Sequence, residues 1–205
     1  MSDLSTGDDG RRRCWWGGST PDYLAYHDEE WGRPVSDDRG IYERLVLEGF
    51  QSGLSWLTIL RKRENFRSAF AGFEIEAVAR FGERDVRRLL ADAGIVRHRG
   101  KIEAAIANAK AAAALDGPLA ELVWSYAPRG RRGARRGLGD LPAVTPESTA
   151  LSKELKRRGF RFVGPTTAYA AMQACGVVND HLARCWARTE VERERRVAAG
   201  YVKSL

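Results

Sequence analysis

Apolar residues along this chain recur three and four positions apart rather than alternately. Ile41, Leu45, Val46 and Phe50 fall on one helical face, and Ser36 followed by Asp37 and Asp38 reads as an N-cap with acids in the first turn. The pattern continues as helices over Ser55 to Arg63 and Asn65 to Ala71. Asp85 to Ala91 and Lys101 to Leu115 form two more, joined by a link whose Gly94 and Gly100 permit a tight reversal, a helix-hairpin-helix in outline. Leu119 to Tyr126 is a further apolar helix, and Thr145-Pro146-Glu147 caps another that runs to Arg158. A second hairpin, Arg158 to Thr167, enters a helix through Cys175 with Pro165 in its first turn. No period-two strand with a hairpin partner stands out, so the expected fold is all-α.

The organisation expected from these signals is a flexible N-terminal arm over 1–13, a folded domain over 14–188 and a charged C-terminal tail over 189–205. With 205 residues, 43% hydrophobic and 30% charged, the chain can bury one core or two small ones sharing a seam, and wholesale disorder does not fit. No apolar run approaches the length of a spanning helix, and the first 13 residues hold no apolar signal region, so the protein is expected to avoid membranes and to stay in the cytoplasm.

Charge and cysteines narrow the chemistry. Lys and Arg outnumber Asp and Glu by 34 to 27, giving a net charge of +7, the bias of a protein that meets a polyanion. Arg129, Arg131, Arg132, Arg135 and Arg136 stand among glycines in a loop over 128–139, which reads either as a solvated excursion or as a phosphate clamp. Three cysteines do not make a disulfide framework, leaving metal ligation, catalysis or burial. Cys14, His27, His181 and Cys185 combine thiolate and imidazole, with the last two one helical turn apart. Spacing alone leaves open whether they bind zinc or are buried residues. If all four ligate, no position remains for water, and the zinc is structural.

Four of the six tryptophans lie in the first 56 residues, where Trp15, Trp16, Tyr23, Tyr26, Trp31 and Trp56 form either ordinary packing or an aromatic pocket for a flat, cationic ring. Glu48 interrupts the apolar run Leu45 to Phe50. A carboxylate there is at an exposed edge, salt-bridged or kept for chemistry. The following Gln51-Ser52-Gly53-Leu54-Ser55-Trp56 is a polar turn with an apolar tip that could wedge into a base stack.

Taken in order, Cys14-Trp15-Trp16, Tyr23 to Gly32, Leu47 to Trp56, Ala93 to Ile102 and Gly159 to Thr166 through Met172-Gln173-Ala174-Cys175-Gly176 to His181 resemble the DNA-3-methyladenine glycosylase I family. The resemblance implies a helix-hairpin-helix glycosylase fold with two helical lobes and a zinc joining the chain ends through Cys14, His27, His181 and Cys185. It assigns Glu48 as the pocket carboxylate, Tyr26 and Trp56 as base-binding partners, and Trp16, Tyr23 and Trp31 as the aromatic wall. Leu54 and Gln51 would meet DNA at the vacated base, and Phe162, Val163 and Gly164 would present the hairpin to phosphates. The implied enzyme is a monomer acting on double-stranded DNA that contains alkylated bases. It flips out and hydrolytically excises 3-methyladenine, and with no evident Schiff-base lysine it leaves an abasic site without cutting the strand. Two alternatives stand beside it: a noncatalytic zinc-stabilised DNA-binding protein, and a glycosylase of broader lesion range.

Overall fold

The computed structural model describes residues 3–129 and 133–202, so Arg131 and Arg132 of the basic loop, Met1 and Ser2 of the arm and the last three residues of the tail lie outside the described residues. Ten helices carry the fold among those residues: α1 (Pro21–Glu29), α2 (Asp38–Gln51), α3 (Trp56–Ala69), α4 (Ile75–Ala79), α5 (Glu83–Ala91), α6 (Arg99–Ala113), α7 (Leu119–Trp124), α8 (Pro146–Arg157), α9 (Pro165–Ala174) and α10 (Arg188–Val202).

Local chemistry starts most of them. The Asp37 side chain, rather than Ser36, caps α2 by accepting from Gly40 N, because Asp37 holds the extended backbone that a cap requires. Ser55 caps α3 in the same way, and the two helices expected over 55–71 form this single one. Thr145 and Pro146 open α8, and Pro165 opens α9.

The all-α expectation holds for the bulk of the chain and fails at its start. Residues 4–14, most of them assigned to a flexible arm, form an antiparallel hairpin of β1 (Leu4–Thr6) and β2 (Arg12–Cys14), with Leu4 opposite Cys14. Two three-residue strands show too little alternation to be read from sequence. What holds them is tertiary. Arg13 is 4% exposed and its guanidinium bonds Asp9 and Asp28, while Trp186 N donates to the Arg12 carbonyl.

Helix α2 is the centre of the molecule, buried on nearly every face and packed by α3, α6, α7 and α9. The main core gathers around Ile41, Tyr42, Leu45, Phe50, Phe66 and Phe70, and a second small core surrounds Cys14, Leu182, Cys185 and Val191. Two devices fix how α9 meets its surroundings at its two ends. The Asn108 side chain on α6 both donates to the Arg161 carbonyl at 3.1 Å and accepts from Arg161 N at 2.7 Å, latching the α8–α9 turn. At the other end of α9, Gly176 takes φ +70°, and a Cβ there would lie 2.6 Å from the Gly32 carbonyl oxygen, so only glycine allows the 32–33 backbone to pass so close.

The charged end of the chain is also built in. Helix α10 packs on α7, and Arg195 donates to the carbonyls of Gly176 and Val177 at 2.6 and 2.7 Å. In the basic loop, the Arg135 carbonyl accepts from Ala183 N at 2.7 Å and Asp140 accepts from the amides of Arg136 and Gly137.

Candidate active site and metal centre

Where α1, α2 and α3 converge on α9, the chain leaves a cavity of about 430 Å³, within the usual range for small-molecule sites. Its wall is made by Trp15, Trp16, Ser19, Tyr23, Tyr26, Trp31, Glu48, Gln51, Trp56, Ala170 and Gln173. All six aromatic and carboxylate residues expected to form a base pocket are therefore brought together. The rings support one another. Tyr26 and Trp56 stand 5.4 Å apart and tilted by 45°, and Trp16 meets Tyr23 and Trp31 edge-on at 5.6 and 5.0 Å. Tyr23 is pinned where its hydroxyl accepts from Leu57 N at 3.1 Å, in the first turn of α3.

Glu48 projects from the last turn of α2 and is 7% exposed. No Lys or Arg among the described residues pairs with it, and burial alone pushes its carboxyl up to about 8. Such a group has no structural partner to justify it, which leaves the cavity as the place it serves. Tyr26 beside it is raised as well, first by burial and then by the Glu48 charge.

The turn after α2 is held rigidly at the cavity mouth. Gln51 Nε2 donates to the Leu54 carbonyl at 2.7 Å, and the buried Lys101 amine bonds the carbonyls of Phe50 and Ser52 at 2.9 and 2.6 Å. Leu54 is consequently presented outward, 39% exposed. The second hairpin stands on the far side of α2. Phe162 is 42% exposed with φ +54°, and a Cβ on Gly49 would meet its side chain at 3.4 Å. Val163, expected to meet phosphates, is instead fully buried with its carbonyl accepting from Ser152 Oγ, so it anchors the hairpin and leaves contact with a partner to its exposed neighbours. Gly164 is the N-cap of α9, where amides point outward as an anion-receiving end.

The four expected ligands also converge, although they come from both ends of the chain. One donor atom each of Cys14, His27, His181 and Cys185 lies within 4.8 Å of the other three, and all four residues are buried. Cys185 Sγ is 3.5 Å from both His27 Nε2 and His181 Nδ1, close to the spacing of about 3.3–3.8 Å that tetrahedral Zn–N and Zn–S bonds impose on their donors. The outward nitrogen of each imidazole is occupied. His27 Nδ1 is 2.8 Å from Asp28 Oδ1, and His181 Nε2 is 2.9 Å from the Trp31 carbonyl, so each ring turns its other nitrogen inward. Asp28 is itself gripped by Arg13 and by Trp186 Nε1. Burial opposes its charge, but the hydrogen bonds from Arg13 and His27 hold the carboxyl below the usual range. Hydrogen bonds from Cys14 and the two histidines favour the Cys185 thiolate, while Cys14 is pushed up by sharing a proton with Cys185 and by burial. Two thiols, two oriented imidazoles and a closed, buried shell fit a structural zinc.

The site and the clasp share walls, since Trp16 lies edge-on to His27 at 5.1 Å and Trp31 edge-on to His181 at 4.8 Å. Three cavity residues were not singled out from sequence: Ser19, Ala170 and Gln173, while Trp15 stood in the aromatic cluster but outside the wall that the resemblance implied. Gln173 sits inside a segment that carried the family resemblance, but nothing in its local pattern separates a wall residue from its neighbours.

Comparison with known proteins agrees with this geometry. The family model described as methyladenine glycosylase matches residues 16–189. The chain is 49% identical over 177 residues to DNA-3-methyladenine glycosylase 1 of Escherichia coli (strain K12), covering 84% of this chain and 95% of that protein. A crystal structure of 3-methyladenine DNA glycosylase I superposes with a TM-score of 0.83 at 48% identity, covering 86% of this chain and 99% of that one. A single-residue variant of a 3-methyladenine DNA glycosylase I, solved in complex with 3-methyladenine, superposes with a TM-score of 0.81 at 36% identity, covering 86% and 97%.

Proposed function

Because the chain belongs to the methyladenine glycosylase family, we infer that it is a DNA-3-methyladenine glycosylase, which excises 3-methyladenine from alkylated DNA by hydrolysing its bond to the sugar. The observation that carries the reading is Glu48: a buried, unpaired carboxyl in the wall of an aromatic cavity.

Methylation at N3 makes the purine a cation whose glycosidic bond is already weakened, so the leaving base needs no protonation. The enzyme has to choose the base and hold it. Double-stranded DNA approaches the basic protein, with the α9 N-terminus at Gly164 and the hairpin at the exposed Phe162 receiving phosphates without reading sequence. The damaged nucleotide leaves the stack at a cost of a few kcal/mol, less for a poorly stacked lesion, and Leu54 fills the gap from a turn braced by Gln51 and Lys101. The ring enters between Tyr26 and Trp56 with Trp16, Tyr23 and Trp31 behind it, where π faces favour positive charge. Glu48 gives up its proton to solvent water as the cation arrives, and the carboxylate accepts hydrogen bonds from the base edge. When the C1′–N9 bond breaks, its electron pair goes to the purine, which departs neutral. Water bonds to C1′ and releases its proton, leaving an abasic site. No lysine lines the cavity among the described residues, and Lys101 is committed to backbone carbonyls, which supports a hydrolase that does not cut the strand.

Cys14, His27, His181 and Cys185 would hold one zinc ion. With four protein ligands it supplies cross-linking on the order of 10 kcal/mol to folding and no activated water. The glycosylase domain expected over 14–188 is extended by the 4–14 hairpin and by α10, and a monomer suffices for the site because the cavity needs no residue from a second copy. No described helix is long and apolar enough to cross a membrane, and cytoplasmic DNA is the expected substrate.

The test is release of 3-methyladenine from methylated duplex DNA, beside 7-methylguanine and hypoxanthine release to bound the lesion range. Activity that survives Glu48→Gln unchanged would remove the carboxylate from the mechanism, and a wild type that binds the DNA but releases no base would return the protein to the class of damage binders. Metal measured on protein purified without added ions tests the clasp.

A further inference from the structure

Asp180 is a buried carboxyl, 5% exposed, that no step above uses. Its Oδ2 accepts from the hydroxyl of Tyr169 and, at 2.9 Å, from Nε2 of Gln173, two residues one turn apart on α9. On its other side, Oδ1 faces Arg135 Nε at 3.6 Å. Gln173 reaches the cavity wall beside Ala170. A carboxylate only accepts, so it fixes which way the carboxamide is turned: the NH₂ spends one of its two hydrogens on Asp180, and the carbonyl oxygen is turned away from that carboxylate. No described group donates to that oxygen. Because Gln173 lines the cavity, this oxygen is the acceptor that the α9 wall has to offer, opposite the Glu48 carboxyl from α2.

We propose that Gln173 is a specificity-determining residue, accepting an N–H of the flipped base through Oε1, and that Asp180 is the positioning residue that holds it in that sense. The proposal rests on the glycosylase reading and refines it. An acceptor at Gln173 Oε1 rewards a purine with an amino group at C6 and penalises one with a carbonyl there, because a buried acceptor facing an acceptor is left unpaired.

The experiment compares two free bases of nearly the same shape, 3-methyladenine and 3-methylhypoxanthine, by quenching of tryptophan fluorescence in the zinc-loaded protein. Wild type is expected to favour 3-methyladenine, and Gln173→Leu to reduce that preference at least tenfold. Asp180→Asn supplies an NH₂ of its own, allowing the Gln173 amide to turn over, and should likewise reduce the preference, with zinc content measured in parallel. If Gln173→Leu weakens both bases equally, its role is packing and the proposal is wrong. It is equally wrong if the ratio stays at the wild-type value. A wild-type protein that binds neither base overturns the glycosylase reading itself, an outcome distinct from both.

Discussion

The Asp28 carboxylate lies 2.8 Å from His27 Nδ1, which leaves Nε2 of that ring to face Cys185 Sγ at 3.5 Å. One outer oxygen thus decides which nitrogen is offered to a metal. Asp28→Asn keeps the shape but weakens the acceptor, and zinc affinity should fall roughly 10–100-fold. Competition with a chromophoric chelator measures it, and an unchanged affinity would show that His27 is oriented by packing alone.

Glu48 sets a pH dependence of both stability and rate. Burial raises its carboxyl from 4.5 to about 8, so between those values the folded protein holds a proton that the unfolded chain has released. Stability is therefore highest below pH 4.5 as far as this group is concerned, falls as pH rises, and levels off above 8. At about 1.4 kcal/mol per pH unit the full loss is roughly 5 kcal/mol. Urea unfolding at pH 5 and pH 8 should show the decline in wild type and lose most of it in Glu48→Gln. For the reaction the sign is opposite: kcat/KM on methylated DNA should rise towards pH 8 as the free carboxyl ionises, and in Glu48→Gln it should be flat and about 100-fold lower.

Leu54 acts on the duplex and not on the released base. Leu54→Ala should lower kcat/KM on double-stranded substrate about tenfold, through the loss of the group that fills the vacated stack. Binding of free 3-methyladenine should be unchanged. Equal losses in the two assays would place Leu54 in the cavity's support instead.

Gly176→Ala tests the seam between α9 and residues 32–33. Its φ of +70° and the 2.6 Å approach to backbone leave no room for Cβ, and the chain on both sides is fixed by Gly32 N to Gln173 O and Val35 N to Cys175 O. A loss of about 3 kcal/mol or more is expected in chemical denaturation. A neutral effect would mean that the 32–35 segment moves freely.

Helices were legible where side chains cap their own backbone or line one face, as at Ser55, Thr145 and Pro165. The N-terminal hairpin was not, because its strands are held by Arg13 meeting Asp28 and by Trp186 meeting Arg12, contacts up to 174 residues apart that no local pattern encodes. Glu48 could be found because a carboxyl is anomalous among Leu45, Leu47 and Phe50. Gln173 could not, since a glutamine on a helix is unremarkable until the buried acid that turns its amide is seen beside it. The four ligands had the right chemistry but the wrong spacing for a compact motif, and only the fold closes the 167 residues between Cys14 and His181.

Trp16 and Trp31 each have two duties, lining the cavity and packing against an imidazole of the Cys14, His27, His181 and Cys185 cluster. Any attempt to enlarge the chamber for a bulkier adduct by trimming either indole therefore also unsettles the fastening of the two chain ends. Engineering of damage range has more freedom at Trp15 and Ala170, which border the same space without that second duty.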